Sequence, residues 1–367
     1  MIRFLAKGLV RDRSRSLFPL LAIIITVTLV IFGIGFMEGA MNNFLQSTAV
    51  ISSGHVKVVT KAYKKESNQL PNDLALFDTK NIIQTLSDMY PDYFWTPRIT
   101  FGGLLDVPDK NGETKEQAPV FSLGIDFFSE KSRQVEIWEL EKCLISGRLP
   151  KDRDDALVST KLAKQLGIGS GSSITLIGST MDNAFTTYNF NVVGTFNLYK
   201  GQTDRQMMLV DISGARQALD MEDAASEILG YHNSLYYHDE EAVTIRKHFN
   251  ITYSDSIAQI LRNEESKDIL SYMNGWNEIN TIEKSKLPQQ RSNALFDNQM
   301  YDNSEEWGEL SVEDPSIYTP TMVALRDGSQ LATMVDFSNV ALGVMAGIFL
   351  VIVMIVLWNM GLMNGLR

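Results

Sequence analysis

The chain has 367 residues, of which 44% are hydrophobic and 21% are charged, and its formal net charge is −11. Such a composition is typical of a chain that folds around a hydrophobic core. The single cysteine, Cys143, excludes an intramolecular disulfide. The acidic balance argues against nucleic acid as a partner, because no basic face occurs after the first sixteen residues.

The first predicted element is a membrane-spanning helix over residues 17–37, none of which is charged. A helix of that length rises about 31 Å, close to the thickness of the hydrocarbon core of a bilayer. A second uncharged run, residues 337–366, predicts a second span. The alternative for the first run is a cleaved signal peptide. We favour an uncleaved anchor, because the run is longer than the usual apolar core of about 7 to 15 residues.

Charge predicts how these spans are oriented. Residues 1–16 form a basic segment with one acid, and they suit either an amphipathic helix on the inner membrane surface or a frayed tail. Basic residues beside a span favour the cytoplasm, so both termini are expected inside and residues 38–336 outside. Setting the terminal charges aside from the total of −11 leaves −16 on the outer segment. The basic residues behind this prediction are Arg3, Lys7, Arg11, Arg13, Arg15 and Arg367.

The first part of the outer segment predicts strands and one helix. The helix has Asp78 as its N-cap and ends before Pro91. A turn at 109–112 joins the last two strands. In chain order the predictions are a strand at 54–60, a helix at 78–90, and strands at 93–107 and 120–125.

The second part begins with the sequence Ser146-Gly147-Arg148-Leu149-Pro150. A short strand then leads into a helix that is capped by Ser159 or Thr160 and ended by Gly167. The remaining predictions are strands at 174–177, 188–196 and 207–210, and a helix at 212–219. Together with the first part, these elements predict an α+β domain of two lobes between two transmembrane helices.

The last part of the outer segment is less regular. Residues 222–280 predict mixed structure with helices at 239–248 and 254–261. Residues 281–318 are rich in polar residues and lack periodicity, which predicts an irregular insertion. Residues 321–335 regain helical spacing and are predicted to lead as a helix into the second span.

The order of several short motifs resembles the mechanotransmission class of ABC transporter permeases, which includes the macrolide exporter MacB, the division protein FtsX and the lipoprotein-releasing permeases LolC and LolE. The lipoprotein-releasing branch is the most similar. The motifs are the basic start, Gly54-His55-Val56 after the first span, residues 146–150 with 156–159 and 162–167, residues 190–196, and the ending from Asn359 to Arg367.

The resemblance implies a Porter-like first lobe and a Sabre-like lobe at about residues 135–220. It also implies a cytoplasmic ABC ATPase on a separate chain, a second permease copy or homologue, and a lipoprotein or other envelope cargo. The expected location is the bacterial inner membrane, with the large domain in the periplasm. Members of this class normally carry four spans, so the last two are expected to be truncated or encoded elsewhere.

A search for catalytic or cofactor chemistry finds no motif. The sequence contains no Gly-Lys pair and therefore no P-loop, and no serine lies in a Gly-x-Ser-x-Gly setting. The four histidines fit no metal spacing, and the glycines at 167–171 follow a helix and so do not form a dinucleotide loop. We expect no enzymatic activity, cofactor or metal in this chain.

The spans contain two pairs of glycines one helical turn apart, Gly35 with Gly39 and Gly343 with Gly347. Small residues at this spacing let another helix approach closely, and chance spacing is the alternative. The function implied by the resemblance is to couple ATP hydrolysis on another chain to periplasmic work such as lipoprotein release. The alternatives are a MacB-type exporter or FtsX-like mechanical signaller, and a two-span sensor, which shares this topology.

Overall fold

The computed structural model describes residues 13–109, 112–129, 132–198, 206–254, 315–327, 337, 340–352, 354, 355 and 358. The chain divides into two compact units, residues 1–47 with 326–367 and residues 48–325. The predicted helix at 254–261 and insertion at 281–318 fall outside the described residues, except for Ser254 in a π-helical turn and Pro315–Tyr318 in a 3-10 turn.

The first unit contains helix α1 (Arg13–Thr48), which continues well beyond residue 37. The helix therefore extends beyond the predicted span toward the second unit in sequence. Apolar side chains such as Ile31, Phe32 and Phe36 are each about two-thirds exposed. A helix that is apolar and exposed on many sides suits a lipid environment. Among the described residues, one helix is long and apolar enough to cross a membrane, over Ile24–Ile51.

A second apolar helix, Val340–Ile352, is shorter than a span within the described residues. Its side chains are largely exposed, with Val344 and Ile348 each more than half accessible. The second span therefore stays a prediction. In this unit, a Cβ atom at Gly33 of α1 would lie 3.7 Å from Met345 Cε, so the two helices approach each other there.

The outer unit, residues 48–325, is built around a mixed sheet. The strand order is β10-β1-β9-β2-β3-β8-β5-β7-β4, and β6 pairs with both β2 and β7. The pairs β3–β8 and β5–β7 are parallel, whereas the other pairs are antiparallel. The strands are β1 (Val56–Thr60), β2 (Tyr93–Pro108), β3 (Thr114–Ile125), β4 (Leu144–Gly147), β5 (Asp155–Ser159), β6 (Ser173–Ser179), β7 (Phe185–Phe196), β8 (Met207–Asp211), β9 (Glu227–His232) and β10 (Pro320–Ala324).

Short helices and turns cover this sheet, and apolar side chains of the described residues fill the space between them in four clusters. Leu162 and Ala215, from two of these helices, pack against Phe101 and Phe190 in the first cluster. The helices are α2 (Lys61–Glu66), α3 (Thr79–Met89), α4 (Gln134–Ile137), α5 (Leu140–Cys143), α6 (Thr160–Leu166), α7 (Ile212–Leu219) and α8 (Asp239–Phe249). This arrangement confirms the predicted α+β class of the outer domain.

Strand β2 connects two parts of the sheet. Its first half, from Tyr93 to Arg98, pairs with β9, and its second half, from Ile99, pairs with β3. The two parts are thus continuous through one strand.

Several local predictions are confirmed in detail. Ser159 Oγ accepts a hydrogen bond from Leu162 N and caps α6, and Gly167 ends this helix in the left-handed conformation. Asp109 O accepts from Gly112 N at 3.1 Å in the predicted turn. Asp78 precedes α3 as predicted, but it makes no side-chain cap and its carboxylate instead accepts from Asn81 Nδ2.

One prediction near the end of the outer segment needs correction. The helix predicted at 321–335 is wrong at its start, because Pro320–Ala324 forms β10 and pairs with β1. Strand β9 falls in the region predicted as mixed structure, was not singled out there, and lies between β1 and β2. Both strands are short, and the pairing partners that stabilise them are distant in sequence.

Candidate functional site

The candidate functional site is the junction where the chain leaves α1 and enters the sheet. Beyond Thr48 the helix widens into a π-helical turn, Ala49–Ser53, which Gly54 ends. Strand β1 begins two residues later. Ala49 is fully buried, and Val50 and Ile51 pack against a cluster that contains Leu229 and Tyr231. The turn that follows the long helix is thus packed against the sheet.

Two side chains of the sheet donate hydrogen bonds to carbonyl oxygens of this turn. Tyr231 on β9 donates its hydroxyl to Val50 O at 3.1 Å. Arg98 on β2 donates Nη1 to Ile51 O at 3.3 Å. The last carbonyls of a helix lack intrahelical partners and carry partial negative charge, so donors of this kind stabilise them. We call Arg98 and Tyr231 the carbonyl clamp.

Arg98 is itself held by a buried ion cluster of Lys57, Arg98 and Glu227. Arg98 Nε donates to Glu227 Oε2 at 3.0 Å, Nη2 contacts the same oxygen, and Lys57 Nζ donates to Oε1 at 2.6 Å. Burial alone would raise the pKa of Glu227, but the charges of Lys57 and Arg98 lower it to about 2. The carboxylate is therefore ionised at neutral pH and fixes the guanidinium beside the helix end.

Gly54 makes the sharp change of direction from the turn into β1. Its φ is +68° and its ψ is 178°, a backbone region that essentially only glycine adopts. A Cβ atom at this position would lie 2.9 Å from Val56 O and 3.2 Å from Gly230 O. The close approach of β9 and the backbone conformation both require glycine here.

His55 follows this glycine and is buried against β9. Its Nδ1 accepts a hydrogen bond from His232 N at 3.0 Å, and its own backbone N donates to Gly230 O. The ring makes edge contacts with Tyr231 and Tyr237. Burial, reinforced by His232 and His238, lowers the pKa of His55 to about 4. The neutral ring can then keep its acceptor toward β9.

Strand β1 connects both ends of the outer unit. It is antiparallel to β9 on one side and to β10 on the other. Val56, the first residue of β1, faces Ala324, the last residue of β10. The chain therefore arrives from α1 and departs toward residues 337–366 at the same end of one strand pair.

The structure describes few of the residues that the sequence analysis singled out. Arg3, Lys7, Arg11 and Arg367 lie outside the described residues, as do the side chains of Arg13 and Arg15, whose backbone begins α1. Among the described residues, nothing lies within 4 Å of a Cβ atom built at Gly35, Gly39, Gly343 or Gly347. Gly33 instead faces Met345, and packing by the other four glycines stays a prediction.

The residues of the junction were not predicted from the sequence. Arg98 and Glu227 are separated by 129 positions, and no local motif links them. One feature of the sequence could have indicated the ion pair, namely a charged residue beside a buried, mainly apolar strand. Such a charge usually has a buried partner. Within the described residues, no group of three histidine, cysteine, aspartate or glutamate side chains is placed to hold a metal ion.

Comparison with known proteins gives one family and two similar folds. A family model described as the MacB-like periplasmic core domain matches residues 16–242. The extracellular domain of the noncanonic ABC-type transporter YknZ from Gram-positive bacteria is 11% identical, with a TM-score of 0.35 over 53% of this chain and 92% of that one. The periplasmic region of MacB from Actinobacillus actinomycetemcomitans is 11% identical, with a TM-score of 0.36 over 59% and 99%.

No curated protein sequence matches the chain significantly. The family match includes most of α1, the junction and every strand from β1 to β9, which is more than half of the chain. An exposed apolar helix followed by such a domain indicates a membrane protein with an extracytoplasmic domain. The chain belongs to the family of proteins with a MacB-like periplasmic core domain.

Proposed function

We propose that this chain is a permease subunit of an ABC transporter in the bacterial cytoplasmic membrane. It couples ATP hydrolysis by a separate cytoplasmic ATPase to work on the outer face, and it functions with a second permease copy or homologue. Its spans carry the motion of the ATPase to the outer unit. Membership of the MacB-like family supports this assignment.

The observation that carries the proposal is the uninterrupted path from α1 into the sheet. Helix α1 passes directly into the turn Ala49–Ser53, and buried donors from β2 and β9 hold the carbonyls of that turn. A helix transmits axial displacement only when its far end is fixed to the body that it moves. The hydrogen bonds to Val50 O and Ile51 O support such fixation at the junction.

We further propose that the work is release of a lipoprotein or another envelope cargo from the membrane. The motifs at Gly54-His55-Val56 and at residues 146–150 support the lipoprotein-releasing branch. A MacB-type exporter is the second candidate, because the matching family model is named for MacB. If depletion of the chain leaves lipoprotein in the cytoplasmic membrane, that result would support lipoprotein release. If depletion causes only drug sensitivity, that result would support a MacB-type exporter.

The test of coupling interrupts α1 outside the predicted span. Asn43 is an exposed residue of α1, and proline there removes a helix hydrogen bond and kinks the helix at a cost of about 3 kcal/mol or more. We expect Asn43→Pro to insert normally but to abolish lipoprotein release in cells that depend on this chain. Asn43→Ala is the matched control and should retain release. Normal release by the proline variant would contradict the proposal.

A further inference from the structure

We propose that the carbonyl clamp, Arg98 and Tyr231, fixes the position of the turn Ala49–Ser53 on strands β2 and β9, and that both are positioning residues for coupling. The consequence for coupling rests on the proposed function, whereas the clamp itself is a property of the purified chain. Nothing in the family match assigns a role to either residue.

Apolar packing alone does not determine the orientation of the turn on the sheet. Val50 and Ile51 pack against the cluster around Leu229. Such contacts are non-directional, so they hold the turn to the sheet without fixing its rotation or its axial position. Hydrogen bonds to the carbonyls of the turn are directional and fix both.

Arginine suits position 98 because its side chain can hold two partners at once. Its planar guanidinium offers several donors in a fixed fork, so it can hold Glu227 with one edge and Ile51 O with another. The side chain is only 4% exposed. Because Glu227 is also held by Lys57, rotation of the guanidinium away from the turn would break a buried ion pair.

The two donors of the clamp come from different strands. Arg98 lies on β2 and Tyr231 lies on β9, and they bind the carbonyls of consecutive residues, Ile51 and Val50. Two adjacent strands thus share the end of the helix. A displacement of the turn must therefore move both strands together or break both hydrogen bonds.

The test measures amide hydrogen exchange in residues 48–56 of the purified full-length chain in detergent micelles. Tyr231→Phe removes the hydroxyl that reaches Val50 and keeps the ring. We expect exchange in this segment to become about 5 to 30 times faster, the factor that corresponds to loss of one buried hydrogen bond. Arg98→Lys keeps the charge beside Glu227 but cannot hold both partners, and we expect the same direction of change.

The matched control is Tyr188→Phe. Tyr188 on β7 is a partly buried tyrosine that donates its hydroxyl to Asp154 Oδ1 at 2.5 Å. The charges that act on this hydroxyl are those of Asp154 and Arg153. We expect exchange at 48–56 to stay at the wild-type rate in this variant. Unchanged exchange in Tyr231→Phe, or equal acceleration in Tyr188→Phe, would overturn the clamp. The assay contains no ATPase, so either result would leave the proposed function to the proline test.

Discussion

Glu227 shows how a single buried residue connects stability, pH and the junction. Its carboxylate is enclosed with Lys57 and Arg98, and their charges lower its pKa to about 2 despite the opposing effect of burial. A carboxyl group whose pKa is lower in the folded state stabilises the fold above its unfolded pKa, near 4.5. That contribution is lost as the pH falls from about 4.5 towards 2.

We therefore expect Glu227→Gln to lower the free energy of unfolding at pH 7 by about 3 to 5 kcal/mol, because it leaves the buried Arg98 and the partly exposed Lys57 without their carboxylate. The variant should also lose the part of the pH dependence below pH 4.5 that this carboxyl group causes. Urea unfolding of the full chain at pH 7 and pH 4 measures both effects. Glu116→Gln, at an exposed position of β3, is the control and should change stability little.

His55 gives the second prediction at this scale. Its pKa of about 4 lies below the ordinary value of 6.5, chiefly because of burial. The unfolded chain therefore binds a proton that the folded chain does not, and stability falls as the pH drops from about 6.5 to 4. The loss should reach about 3 kcal/mol.

The variant His55→Asn keeps an acceptor for His232 N but cannot titrate, so its stability should decline less between pH 6.5 and 4 than that of the wild type. Chemical unfolding at several pH values in this range measures the difference. Equal slopes in the two proteins would show that another group is responsible for the pH dependence.

At the scale of elements, the turn that joins α1 to β1 depends on Gly54. An alanine there would adopt a strongly disfavoured backbone conformation and would approach Val56 O to 2.9 Å. We expect Gly54→Ala to reduce stability by about 1 to 3 kcal/mol. Gly169→Ala is the control, because a Cβ atom there meets nothing within 4 Å among the described residues. A thermal melt that is equally affected by both changes would contradict this explanation.

The elements that the sequence predicted well are those that local chemistry determines. Helix α6 has a serine cap and a terminal glycine, and α7 begins and ends where its pattern indicated. By contrast, the side chains at 321–324 suited a helix, yet the backbone pairs with β1. Strand β9 was missed for the same reason. It is stabilised by pairing with β1 and β2, which are distant in sequence.

The site was harder to predict than the fold. Arg98, Glu227 and Tyr231 meet only because β2 and β9 are neighbours, and no spacing along the chain indicates that arrangement. The order of the strands in the sheet decides which side chains reach the carbonyls of the turn.

For the whole molecule, the basic residues at both ends predict that residues 38–336 lie outside the cytoplasm. A topology reporter after residue 200 tests this. Alkaline phosphatase fused there should be active, since it folds only outside the cytoplasm, and green fluorescent protein should remain dark. A fusion after residue 12 should give the opposite pair of results. A fluorescent fusion at residue 200 would refute the proposed orientation and with it the permease function.

The pairing of β1 with β10 has a mechanical consequence for the two chain segments that leave this end of the sheet. Val56 and Ala324 are opposite each other at the end of the ladder from which both segments emerge. If one segment were pulled along its strand while the other stayed still, the two strands would slide in shear, and the hydrogen bonds between Val56 and Thr60 would be loaded together. The whole β1–β10 ladder therefore resists such a displacement.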